Sequence, residues 1–326
     1  MSVPAAWARS RFVGSLVGLA VGDALGTTLE FTAPGSFSPI SDMVGGGPFG
    51  LEPGEWTDDT SMALCLGESL LASHGFDAAD QMHRYVRWID DGHWSSIGRC
   101  FDVGTVVSRA VARFRRTGEG FSGPTAEDTA GNGSLMRLAP VPLYFAADAA
   151  LAIDRAADSS RTTHGTAAAV DACRYYAGLI VGAVNGVDKE TLLGLGPAYT
   201  PVDNLWQREL LHPAVAVVAE GSFRTKVPPA IRGGRGYVVD TLEAALWAFA
   251  TTHDFASGAL AAVNLGGDAD TTGAVYGQLA GACYGLEGIP AVWRERIARG
   301  EEITAMAVAL HEAAKASRRN RVRGPA

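Results

Sequence analysis

Apolar residues recur at helical spacing along almost the whole chain. Val13, Leu16, Val17 and Ala20 stand at i, i+3, i+4 and i+7. Met82, Tyr85, Val86 and Ile89 repeat the pattern, as do Leu242, Ala245, Leu246 and Phe249, and then Ile303, Met306, Ala307 and Leu310. Met62, Cys65, Leu66, Ser69 and Leu70 share one face in the same way. Clear alternating runs are missing, and "VAVV" at 215–218 is too short to decide between helix and strand. This pattern predicts an all-α protein. With 326 residues, 47% hydrophobic and 19% charged, the chain is long enough to bury a sizeable core and unlike a disordered one.

The helical segments are joined by long Gly- and Pro-rich loops at 33–56, 116–134 and 222–237. Loops of that length in a compact helical domain commonly carry function. No linker separates two compositions, so one domain over residues 1–326 is expected, with a frayed basic tail from about residue 316 to 326. The net charge of -8 argues against general affinity for nucleic acid or an anionic membrane. The N-terminal apolar run is broken by Gly14, Gly18, Gly22 and Asp23, so neither a signal peptide nor a membrane span is expected. Four scattered cysteines without metal-ligand spacing read as buried reduced thiols of a cytoplasmic protein. No apolar surface stripe is left unassigned, which favours a monomer.

Two acidic motifs interrupt the apolar pattern. "EWTDDTSM" carries Thr57, Asp58, Asp59 and Thr60 at the start of one amphipathic segment. "NLGGDADTTG" carries Asp268, Asp270 and Thr271 at the start of another, after the paired glycines Gly266 and Gly267. A helix cap accounts for one such side chain. It does not account for two carboxylates and a hydroxyl at each site. If the motifs meet, four carboxylates must take up protons or hold cations. Oxygen donors alone suit hard ions such as Mg²⁺, Mn²⁺ or Ca²⁺, and facing clusters suit a pair of ions with bridging carboxylates. Spacing in the sequence leaves capping and cation binding both open.

A wider set of blocks is specific. "GLAVGDALGTTLEF" at 18–31, "DMVGGGPFGLEPGEWTDDTSMAL" at 42–64, "CFDVGT" at 100–105, "AGNGSLMRLAPV" at 130–141, "THG" at 163–165, "GYVVDTLEAALWAF" at 236–249 and the second acidic motif follow one another in order. Together they resemble the ADP-ribosylglycohydrolase family, and within it the bacterial dinitrogenase reductase-activating glycohydrolases. The resemblance implies a compact orthogonal bundle of many helices. It also implies two divalent cations, Mg²⁺ or Mn²⁺, ligated by Thr57, Asp58 and Asp59 on one side and by Asp268, Asp270 and Thr271 on the other. One aspartate of the second motif would bridge both ions. The implied reaction is hydrolysis of the glycosidic bond between ADP-ribose and a protein side chain, with arginine preferred. The ions would fix the vicinal ribose hydroxyls and acidify a water, and nearby carboxylates would favour the oxocarbenium-like centre. The partners are then an ADP-ribosylated protein and the product ADP-ribose. Rival readings are another linkage (serine, O-acetyl-ADP-ribose or a nucleobase), a non-catalytic ADP-ribose binder, and phosphoester hydrolysis at a two-metal site.

The same resemblance gives catalytic roles to Glu30, Asp59, Asp102 and Asp270. For Glu30 the alternative is a charge at a helix end, and for Asp102 a turn cap. Asp23 has either a structural role or one of orienting ligands. Asn132, Gly133, Ser134 and Met136 read as a substrate clamp, with Ser134 opening a helix and glycines letting backbone N–H groups approach an anion. Arg137 is assigned an internal acid as partner. His164 is assigned to substrate positioning, Tyr237 to an adenine or ribose platform, with core packing as its rival, and Trp56 to support of the first acidic motif.

Overall fold

The computed structural model describes residues 9–194 and 199–323. It is built from helices, as the periodicity requires, and among the described residues the only β pairings are two isolated bridges. The "VAVV" run lies in the helix Pro213–Ala219. The longer helices are α1 (Arg9–Gly26), α2 (Asp58–Ala72), α3 (Ala78–Asp91), α4 (Thr105–Thr117), α5 (Ala149–Thr163) and α6 (Ala167–Val184). They continue with α7 (Val238–Thr251), α8 (Phe255–Val263), α9 (Ala269–Tyr284) and α10 (Gly300–Arg323). The basic C-terminal stretch continues the last helix as far as the described residues run. The backbone stays helical to Arg323, because no Gly or Pro breaker occurs before Gly324. The four cysteines are free, and Cys65 and Cys173 are buried.

Several helix starts are capped by their own side chain. Asp77 accepts from Ala79 and Asp80 at α3, Asp148 from Leu151 at α5, Thr166 from Ala169 at α6, and Asp254 from Ser257 at α8. The helices α2 and α9, which carry the acidic motifs, are not among them: neither Thr57 nor Asp268 makes a side-chain cap bond.

The centre of the molecule is the pair α1 and α9, both buried nearly all round. They run antiparallel with backbones in contact. A Cβ added at Gly14, Gly18 or Gly22 would lie 2.4, 2.3 or 2.0 Å from the carbonyl oxygen of Gly281, Gly277 or Gly273. Added at Gly26, it would lie 2.3 Å from the Ala269 oxygen. Only glycine permits that approach, and the four-residue spacing keeps the small face aligned along both helices. The glycines that break the N-terminal apolar run are therefore a packing surface. Helices α1 (extended to Leu29) and α6 are long and apolar enough to cross a membrane, yet most of each is buried inside the protein. Around the pair, Trp56, Trp88, Tyr175, Tyr176, Tyr276 and Phe249 fill the core.

Candidate active site

The glycine contact brings the C-terminal end of α1 against the start of α9, so Asp23 and Glu30 arrive beside Asp270. The first turn of α2 comes in from the side. Asp23 fixes it there: its Oδ1 accepts from the Thr57 N–H at 2.9 Å and the Thr57 hydroxyl at 2.8 Å. Its Oδ2 accepts from the Thr60 N–H at 3.0 Å and the Thr60 hydroxyl at 2.6 Å. Asp23, fully buried, is thus the cap of α2, supplied from another helix. This leaves Asp58 and Asp59 free of capping.

The two acidic motifs meet. The Thr57 hydroxyl lies 3.2 Å from both Asp59 Oδ2 and Asp270 Oδ2. Oxygens of Asp23, Asp59 and Asp270 lie within 4.8 Å of one another, and so do oxygens of Glu30, Asp102 and Asp270. Asp270 belongs to both groups. The second motif is held in place by its own loop. Gly266 and Gly267 both have φ of 71°, the left-handed region that glycine enters without strain. The Asp268 N–H donates to Gly234 O at 2.8 Å, and Asn132 Nδ2 donates to Asp268 Oδ2 at 2.8 Å. Thr271, buried, lies 3.8 Å from the Met136 sulfur.

Burial makes this cluster electrostatically expensive. Asp23, Glu30, Asp58, Asp59, Asp102, Asp268 and Asp270 all have their pKa raised, first of all by burial. Repulsion from neighbouring carboxylates adds to it for Glu30, Asp58, Asp59, Asp102 and Asp270. Glu30 is pushed up to about 9 and Asp102 to about 6. Asp59 Oδ1, Asp270 Oδ1 and Glu30 Oε2 are buried without a hydrogen-bond partner. Such groups are normally satisfied. A hard cation answers both costs, and the all-oxygen donor set fits one.

Above the cluster opens a cavity of about 350 Å³. Glu30, Asp58, Asp102, Asp268, Asp270 and Thr271 line it, together with Asn132, Gly133, Met136 and His164. Asp59 and Thr57 are completely buried. His164 packs under the glycine loop: a Cβ on Gly131 or Gly133 would lie 3.0 or 2.8 Å from its ring. Burial and the Arg137 charge lower its pKa to about 3, so the ring is neutral. Among the described residues Arg137 pairs with no acid, contrary to the sequence expectation. It donates to Gly133 O at 2.7 Å, Ser159 O at 3.2 Å and Thr162 Oγ1 at 3.3 Å, and lies over the Tyr85 ring. Its role is to fix the glycine loop from below. Ser134 stands in a turn and does not open a helix, since the next helix starts at Pro140. Its hydroxyl meets Ser160 and Cys173 in the core. Tyr237 is 38% exposed, beside the cavity-lining Gly236, and its backbone pairs with Gly131. Trp56 is buried beside Thr57 and donates to Ala298 O at 2.9 Å.

A family model described as ADP-ribosylglycohydrolase matches residues 5–320. The chain belongs to the ADP-ribosylglycohydrolase family. Like its relatives, this ADP-ribosylglycohydrolase is a hydrolytic enzyme. It is 42% identical over 307 residues to ADP-ribosylarginine hydrolase Tri1 of Pseudomonas putida, covering 94% of this chain and 79% of that protein. It is 33% identical over 291 residues to the ADP-ribosyl-[dinitrogen reductase] glycohydrolase of Rhodospirillum rubrum, covering 88% and 90%. A solved structure titled ADP-ribosylglycohydrolase-related protein complex superposes with a TM-score of 0.82 at 45% identity, over 94% of this chain and 98% of that one. In this ADP-ribosylglycohydrolase, sequence reasoning passed over Phe31 and Arg235, both of which line the cavity. Phe31 could have been noticed from its place directly after Glu30. Arg235 carries no signal beyond lying in a glycine-rich loop.

Proposed function

We propose that the enzyme hydrolyses the bond between the distal ribose of ADP-ribose and a guanidino nitrogen of arginine in a modified protein, with two divalent cations bound. The observation that carries this reading is that two acidic helix starts, neither capping its own helix, meet around one shared carboxylate, Asp270. Relatives at 42% and 38% identity that are named ADP-ribosylarginine hydrolase support the arginine linkage. Thr57, Asp58, Asp59, Asp268, Asp270 and Thr271 would hold the cations. Mg²⁺ and Mn²⁺ accept such oxygen ligands, and bound there they would supply Lewis acidity towards a sugar diol and a water.

The protein groups carry the rest. Asn132, Gly133, Met136 and the neutral His164 form the wall against which the ADP-ribose lies, and backbone N–H groups of the glycine loop suit its diphosphate. Ser134 acts through that loop's shape, and Tyr237 offers a ring at the mouth. The water oxygen bonds to the anomeric carbon while the carbon–nitrogen bond breaks and its electron pair stays on nitrogen. One water proton goes to a carboxylate, and a proton is delivered to the departing nitrogen. Glu30 and Asp102 are the carboxyls that move these protons, while the buried carboxylates Asp59 and Asp270 stabilise positive charge on the sugar. We read the chain as one catalytic domain that works as a monomer on a protein substrate.

The test measures ADP-ribose release from ADP-ribosyl-arginine, ADP-ribosyl-serine and O-acetyl-ADP-ribose in Mg²⁺ or Mn²⁺, and again with a chelator. Release from the arginine conjugate, abolished by chelation, is expected. Release only from another conjugate would move the enzyme to that linkage. Tight ADP-ribose binding with no release from any would make it a binder.

A further inference from the structure

Phe31 combines two features that oppose folding. It is a bulky residue in left-handed backbone, with φ of 58°, and it is 68% exposed. The first is a conformational outlier for a side chain of that size, and the second forgoes most of the ring's burial. The backbone around it is clamped. The Phe31 N–H donates to Gly267 O at 2.7 Å, and the Gly267 N–H donates to Thr32 O at 2.8 Å. The clamp ties Phe31 to the loop that carries Asp268 and sets it at the rim of the acidic cavity, which it lines.

Phe31 is the end of an aromatic row. Phe49 meets it edge-on at 6.5 Å, and Phe101 meets Phe49 at 5.2 Å. Phe101 directly precedes Asp102, itself a non-glycine residue at φ of 53°. The row therefore joins Glu30 to Asp102, the two carboxyls grouped with Asp270. An exposed ring standing among carboxylates is suited to a planar, delocalised cation, which stacks on the face and hydrogen-bonds to the acids at its edge.

We infer that Phe31 recognises the guanidino group of the modified arginine and sets the preference for that linkage. The inference rests on the arginine reading above and adds the residue that enforces it. A serine hydroxyl or an acetyl group offers no planar cation for the ring, so those conjugates do not depend on it.

The experiment compares wild type with Phe31→Tyr, Phe31→Ala and Phe31→Gly. For each, kcat and KM on ADP-ribosyl-arginine, ADP-ribose affinity by calorimetry, and Tm are measured. Phe31→Ala and Phe31→Gly are expected to lose about tenfold or more in kcat/KM on the arginine conjugate, with ADP-ribose affinity unchanged. Phe31→Tyr keeps the ring and should keep the rate. Phe31→Gly relieves the strained backbone, so its Tm should match or exceed wild type, which separates recognition from folding. Unchanged kcat/KM in both truncations, or a parallel loss of ADP-ribose affinity, overturns the inference. A wild type inactive on the arginine conjugate overturns the arginine reading instead.

Discussion

Asp270 stands where two carboxylate groups overlap, and its Oδ1 is buried without a partner. Its charge is costly without a cation and useful with one, so its removal should have opposite effects on stability and function. Asp270→Asn is expected to lower cation affinity by at least the roughly 10–100-fold seen for outer-shell partners, and turnover with it. In chelator the same variant should melt higher than wild type, because one repelling carboxylate is gone. Calorimetric titration and melting curves check both. An unchanged cation affinity would remove Asp270 from the ligand set. At this scale the sequence was informative for the acidic motifs, since two carboxylates and a hydroxyl within a few residues exceed what one cap needs. It was silent on Asp23 as a cap. That role depends on where α2 starts relative to α1, which no local spacing records.

The pairing of α1 with α9 sets the distance between the motifs. A Cβ at Gly277 would lie 1.9 Å from the Gly18 carbonyl oxygen, a backbone atom that cannot rotate aside. Gly277→Ala is therefore expected to cost about 1–3 kcal/mol or more in denaturant unfolding. It should also weaken cation binding, although residue 277 is about two helical turns from Asp270. Wild-type cation affinity in a destabilised Gly277→Ala would show that the helix contact does not govern the site. Helix existence and buried faces were legible because periodicity is a short-range signal. The glycine contact was not, because it needs the antiparallel register of two segments at opposite ends of the chain. Read singly, those glycines only weaken a helix.

For the molecule as a whole, the cluster couples folding to pH. Burial holds protons on carboxyls that the unfolded chain releases near pH 4. Glu30 keeps its proton up to about 9 and Asp102 up to about 6. As pH rises through that window, the unfolded state has fewer protons to hold than the folded one, so these groups contribute progressively less stability. The chelated protein should melt lower at about pH 8 than at about pH 6. Divalent cations held there would bind the deprotonated cluster and release its protons, so their stabilising effect should grow over the same range. Melting curves in chelator and in Mg²⁺ across that interval test this. A chelated Tm that rises with pH would refute it.

The contact between Thr57 and Asp270 spans 213 residues of sequence. During synthesis, α1 and the first acidic motif leave the ribosome long before the strand of chain that completes them. Until α9 emerges, α1 has no glycine face to dock on, and Asp59 has no second half of a cation site. The catalytic centre is therefore among the last features the nascent chain acquires. Apolar α1 therefore lacks its packing partner until most of the chain has been made.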